Sequence, residues 1–129
     1  MEQIPYSFLL NLIADFSVDL GGASGSLSKD NTIDNFKYKE VNILPLICYE
    51  SIFGDMITGK NSNIITIITN DGWWKNTSGY KQHFQYARLR AIEQRRSVVR
   101  SANTGISGVI SPFGEVLGQT NWEEEIAIN

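Results

Sequence analysis

The chain has 129 residues, 42% of them hydrophobic and 19% charged, with a formal net charge of −3. That length allows one domain or part of one, and the mild negative charge gives no electrostatic basis for binding nucleic acid or an anionic membrane surface. With a single cysteine there is no internal disulfide, no Cys/His pattern marks a zinc site or another cofactor, and no stretch approaches the roughly 18–20 apolar residues of a membrane helix.

In chain order, residues 7–20 place Phe8, Leu9, Leu12, Ile13 and Phe16 on one helical face. The Gly-rich segment 20–26 is a loop; it lacks the Gly-Lys-Ser/Thr ending and the preceding strand that a phosphate cradle requires. The polar tract 29–39 carries a weak edge strand around Phe36 and Tyr38, expected to pair with the strand that ends at Cys48. Residues 43–47, Ile-Leu-Pro-Leu-Ile, form an unbroken apolar run, which reads as a strand buried on both faces. It leads into Cys48-Tyr49-Glu50, and a short helix is expected around Gly54, Asp55 and Met56. Residues 63–70 are β-branched almost throughout and predict a second buried strand.

Asn70-Asp71-Gly72-Trp73-Trp74 breaks that strand, and 75–80 reads as a polar loop. Residues 82–98 have helical periodicity in Phe84, Ala87, Ala91 and Ile92, with many strong helix formers. Residues 98–103 and 106–111 suggest a hairpin-like pair through Thr104-Gly105. Pro112 to Glu115 make a turn before extended structure resumes at Val116. The order of elements gives an α/β layered fold with a mixed sheet. A helix with no strand before it leaves that sheet short of partners, so the chain reads as starting in mid-domain.

Cys48 has two readings: an inert core residue, since free cysteine is often buried, or a nucleophile presented where a strand hands over to a turn. His83, the only histidine, is a candidate base for it or an ordinary hydrogen-bonded residue near a helix start. Glu50 would share a strand face with Cys48, and serves either as a hydrogen-bonding brace for the turn or in proton transfer. If the two buried strands run parallel, Asn70 to Trp74 lie at the same sheet edge as Cys48, where such sheets place their sites. The two tryptophans then line an apolar cleft or cap the core. Arg88, Arg90, Arg95, Arg96 and Arg100, interleaved with Glu93, read as a solvated face with ion pairs rather than a nucleic-acid stripe.

Taken together, Ile47-Cys48-Tyr49-Glu50, Asn70-Asp71-Gly72-Trp73-Trp74, Gln82-His83-Phe84-Gln85-Tyr86-Ala87-Arg88-Leu89-Arg90-Ala91-Ile92-Glu93 and Arg100-Ser101-Ala102-Asn103-Thr104-Gly105 resemble the carbon-nitrogen hydrolase (nitrilase) superfamily. Within it they are most similar to the apolipoprotein N-acyltransferase family of bacterial membrane enzymes, over residues 2–117. The resemblance implies a four-layer αββα sandwich and a Glu-Lys-Cys triad with no cofactor or metal. Cys48 matches the nucleophile, which would take a fatty acyl group from a phospholipid and pass it to the α-amine of a lipoprotein's N-terminal cysteine. The Tyr49 N–H and the triad lysine would stabilise the oxyanion. Glu50 matches a glutamate beside the nucleophile, Glu2 an auxiliary glutamate after the lysine, and Trp73 an aromatic at the substrate entrance, with Asn70 in the same block. The implied setting is the bacterial inner membrane, with the catalytic domain facing the periplasm.

The family's general-base glutamate and lysine have no counterpart here, because Lys29, Lys37 and Lys39 stand in a polar tract of the wrong context. The whole chain, 1–129, is therefore expected to be the C-terminal portion of the hydrolase-like domain. It would lack the N-terminal half and the membrane helices, be inactive alone, and be prone to self-association through exposed sheet edges and apolar faces. The rival readings are a soluble amidase of the same superfamily, a non-catalytic α/β interaction module, and a truncated gene product.

Overall fold

The computed structural model describes residues 33–128. The helix expected over 7–20, the Gly-rich loop and Glu2 lie outside the described residues. Six strands form one mixed sheet in sequential order: β1 (Phe36–Tyr38), β2 (Val41–Ile47), β3 (Ile64–Thr69), β4 (Ser97–Ala102), β5 (Gly108–Ile110) and β6 (Val116–Gln119). β2, β3 and β4 are parallel, while β1, β5 and β6 extend the sheet antiparallel at its flanks. The edge strand at Phe36 and the hairpin through Gly105 are both present. A β-bulge at Val109/Ile110 shifts the last pairing.

One long helix, α1 (Ser78–Gln94), crosses one face of the sheet. It begins four residues before the apolar period suggests, because the Thr77 hydroxyl accepts the Gly79 N–H at 3.3 Å and caps the first turn. It ends when Arg95 takes a left-handed conformation, which frees Val98 to join β4. Its buried stripe is Tyr80, His83, Phe84, Ala87, Arg90 and Ala91. The small side chains at 87 and 91 let the helix lie close to the sheet.

Side chains alternate across the sheet. The registered row Leu44, Ile65, Val98 and Ile110 is wholly enclosed under α1, and so are Leu46 and Ile67 in the next row. The other face is only half covered: Ile47 is 55% exposed and Ile68 58%. The strands expected to be buried on both faces are thus covered on one. Their apolar runs are what a second layer would need, and among the described residues there is one sheet and one helix layer. No short helix forms at Gly54. Cys48–Ile52 instead make a turn of 3-10 helix, with looser turns through Gly59.

Candidate active site around Cys48

Parallel pairing brings the carboxyl ends of β2, β3 and β4 to one edge. Cys48 follows β2, Asp71 follows β3, and the loop 103–105 follows β4. The loops are stitched by backbone bonds, Asp71 N–H to Thr104 O at 3.1 Å and Asn103 N–H to Thr69 O at 3.2 Å. Cys48 is half-buried and its φ is +50°, in the left-handed region that a side chain adopts only under constraint. The thiol therefore sits on a sharp strand-to-turn corner rather than inside the aliphatic core.

The constraint comes from beneath the turn. Ser51 Oγ donates to the Cys48 carbonyl at 2.8 Å. His83 Nε2 reaches the same carbonyl at 3.3 Å and Ser51 Oγ at 3.0 Å. His83 Nδ1 donates to Asp71 Oδ1 at 2.8 Å, since a carboxylate only accepts. Asp71 Oδ1 also accepts from Thr69 Oγ1 at 3.1 Å, and Oδ2 from Arg100 at 2.6 Å. Arg100 further donates to the Ile106 carbonyl and lies over the Phe84 ring, 5.8 Å from its centroid. His83, Asp71 and Arg100 are all buried. Burial pushes the Asp71 carboxyl upward, but the hydrogen bonds from His83 and Arg100 and the positive charge outweigh it and hold the group below the usual carboxylate value.

His83 is thus fully engaged, and its ring meets the cysteine's backbone. Glu50 cannot share a strand face with Cys48 because the segment is a 3-10 turn; its Oε2 turns back to accept the Ile47 N–H at 2.6 Å. Asn70 makes a local turn, its Oδ1 accepting the Gly72 N–H at 3.0 Å. Trp73 is 83% exposed. Trp74 is the tryptophan brought to the turn, stacked on Tyr49 at 5.9 Å and edge-on to His83 at 5.1 Å. Tyr49 is half-exposed, so the pair leaves an aromatic surface beside the Cys48 turn.

Two arginines expected on a solvated face are buried instead. Arg100 alternates onto the same sheet face as Val98, and Arg90 lies on the buried stripe of α1, donating to Ile52 O at 3.1 Å and pairing with Glu93 at 2.8 Å. Both placements follow from period: i, i+2 in a strand and the 83–87–90 spacing in a helix. A buried charge then needs a partner, which points to Asp71 and to the turn. Ser51 carries no such signal. Among the described residues no group of three or more His, Cys, Asp or Glu is placed to hold a metal ion, and no helix is long and apolar enough to cross a membrane.

The carbon-nitrogen hydrolase family matches residues 16–129. The chain is 51% identical over 121 residues to the apolipoprotein N-acyltransferase of Rhodopseudomonas palustris, covering 92% of this chain and 22% of that protein. It is 38% identical over 119 residues to the enzyme of the same name from Wigglesworthia glossinidia brevipalpis, covering 89% and 23%. The chain therefore spans less than a quarter of the length of these curated relatives. In fold it is similar to a Nesterenkonia amidase solved with acrylamide added at its active site cysteine: TM-score 0.59, 17% identity, 78% of this chain and 42% of that one. The α/β layering, the corner that presents Cys48 and the match over nearly the whole sequence agree, and the chain belongs to the carbon-nitrogen hydrolase family.

Proposed function

We propose that this chain is the nucleophile-bearing, C-terminal portion of the hydrolase domain of an apolipoprotein N-acyltransferase, with Cys48 as the acyl carrier. The observation that carries the reading is the half-buried cysteine at the end of a parallel strand, held at φ +50° in a Cys-Tyr-Glu turn, in a chain similar to enzymes of that name. Cys48 Sγ attacks the acyl carbonyl of a phospholipid ester, the lysophospholipid leaves with a proton, and a thioester remains. The α-amine of an apolipoprotein's N-terminal cysteine then attacks the thioester, forming an amide and returning the thiol. The Tyr49 N–H, second in its 3-10 turn and so without a partner within it, donates to the oxyanion. Glu50 braces the turn, and the aromatic pair Tyr49–Trp74, with Trp73 at the rim and Asn70 shaping its loop, borders the substrate.

The general base and lysine, and the membrane spans that bring the enzyme to its lipid, belong in this reading to polypeptide outside these 129 residues, as Glu2's auxiliary role also requires. The half-covered sheet face is where the other half of an αββα sandwich would pack. The test is acyl transfer from phospholipid to an N-terminal cysteine peptide, run with the full-length protein and with this chain alone. Transfer by the former, lost in Cys48→Ala, and none by the latter are expected. Hydrolysis of a small amide without acyl transfer would contradict the reading in favour of an amidase.

A further inference from the structure

The same face of α1 reaches both ends of the nucleophile turn. His83, two helical turns before Arg90, touches the Cys48 carbonyl where the turn begins, and Arg90 donates to the Ile52 carbonyl where it ends. We propose that His83 and Arg90 are positioning residues that clamp this turn, and that His83 fixes the plane of the Cys48–Tyr49 peptide. The inference rests on Cys48 being the acyl-accepting nucleophile.

The peptide bond is planar, so the Cys48 carbonyl and the Tyr49 N–H are one rigid unit pointing opposite ways. Ser51 Oγ–H donates to the carbonyl at 2.8 Å from beneath the turn, and His83 Nε2, 3.3 Å from the same oxygen, adds a second donor when the ring carries both protons, its Nδ1–H being taken by Asp71. The N–H is thereby aimed away from the buried network. A non-glycine residue in the left-handed region is strained and persists only when its surroundings over-determine it. The imidazole is itself fixed, because Asp71 holds Nδ1 at 2.8 Å and Arg100 holds Asp71 from the neighbouring strand. Arg90 is placed in turn by Glu93, and the bare α-carbon of Gly54 makes room for it; a Cβ there would lie 2.7 Å from the guanidinium. Three strands and a helix thus converge on one peptide group.

The experiment uses the full-length protein and two acyl donors, a phospholipid and a p-nitrophenyl acyl ester, with iodoacetamide as a probe of the thiol that needs no oxyanion donor. Thioester formation is read in single turnover by intact mass. His83→Ala is expected to slow acylation by both donors about 100-fold, as misaiming an oxyanion donor does. Iodoacetamide alkylation and the KM for phospholipid should each change less than about threefold, because neither depends on that donor. His83→Gln, whose amide spans part of the way to the turn, should recover about tenfold of the loss, and Ser51→Ala should slow acylation about tenfold while remaining folded. If His83→Ala does not fold, His83→Gln and Ser51→Ala carry the test. Unchanged acylation in the variants that fold, or acylation and alkylation falling together in proportion to folded protein, would overturn the clamp. A wild type acylated by the p-nitrophenyl ester but not by phospholipid would sink the acyltransferase reading and leave the clamp measurable; inertness to both would remove the two together.

Discussion

Asp71 and Arg100 meet at 2.6 Å with both side chains enclosed, one just past the end of β3 and the other inside β4. Arg100 registers against Ile67 on the face that packs under α1, so its charge is buried and the carboxylate it meets is that of Asp71. Removing one member of such a pair leaves the other uncompensated. Asp71→Asn or Arg100→Met is therefore expected to destabilise the intact protein by about 3–5 kcal/mol, and Asp71→Asn with Arg100→Met by less than the sum of the single changes. Denaturant titration of the four proteins checks this.

The same pair sets an acid limit. Asp71 has an ordinary reference value of 3.8, and its folded value is lower. A carboxyl of that kind stabilises above its unfolded value and loses the contribution as pH falls through the folded one. Stability should therefore drop below about pH 4, and Asp71→Asn, already weaker at neutral pH, should show a shallower drop. Melting temperature followed from neutral pH into the acid range reads both slopes.

Gly105 underlies the Asp71 carboxylate. Its φ is +109°, and a Cβ would come within 2.5 Å of Asp71 Oδ2. Gly105→Ala should cost about 1–3 kcal/mol by overpacking alone, with the backbone strain added. The matching experiment is a denaturation curve beside that of Asp71→Asn. A combined variant losing no more than the worse single change would locate the damage in their contact.

Glu50 separates brace from proton donor. Gln keeps an oxygen for the Ile47 N–H but cannot exchange a proton. As a brace, Glu50→Gln should retain acyl transfer within about tenfold, whereas a general acid–base role predicts a loss of about 100- to 10,000-fold. Rates with the full-length protein discriminate the two.

Much of the sheet was legible in the sequence because β-branched and apolar runs are local signals, and β2, β3 and the hairpin through Gly105 lie where those runs place them. The edge strand at Phe36 was also legible. The start of α1 was not, because Thr77 caps a helix whose first residues are polar and include Gly79. Gly79 is tolerated there for a tertiary reason: a Cβ would sit 2.4 Å from the Trp74 ring. Exposure of Ile47 and Ile68 was hidden because an apolar run reports what a strand is suited to pack against, and not whether that layer is supplied. Cys48 stood out by its position after a strand. Its support from Ser51, His83, Asp71 and Arg100 is dispersed over a turn, a helix, the end of one strand and the interior of the next, and only the register brings those residues together.

Intact-mass analysis of the full-length protein after brief exposure to phospholipid tests the central claim most directly. The account predicts a gain of one acyl chain mapped to Cys48, sensitive to hydroxylamine as a thioester is, and absent in Cys48→Ala. An acyl adduct on another residue, or acyl transfer that persists in Cys48→Ala, would contradict it.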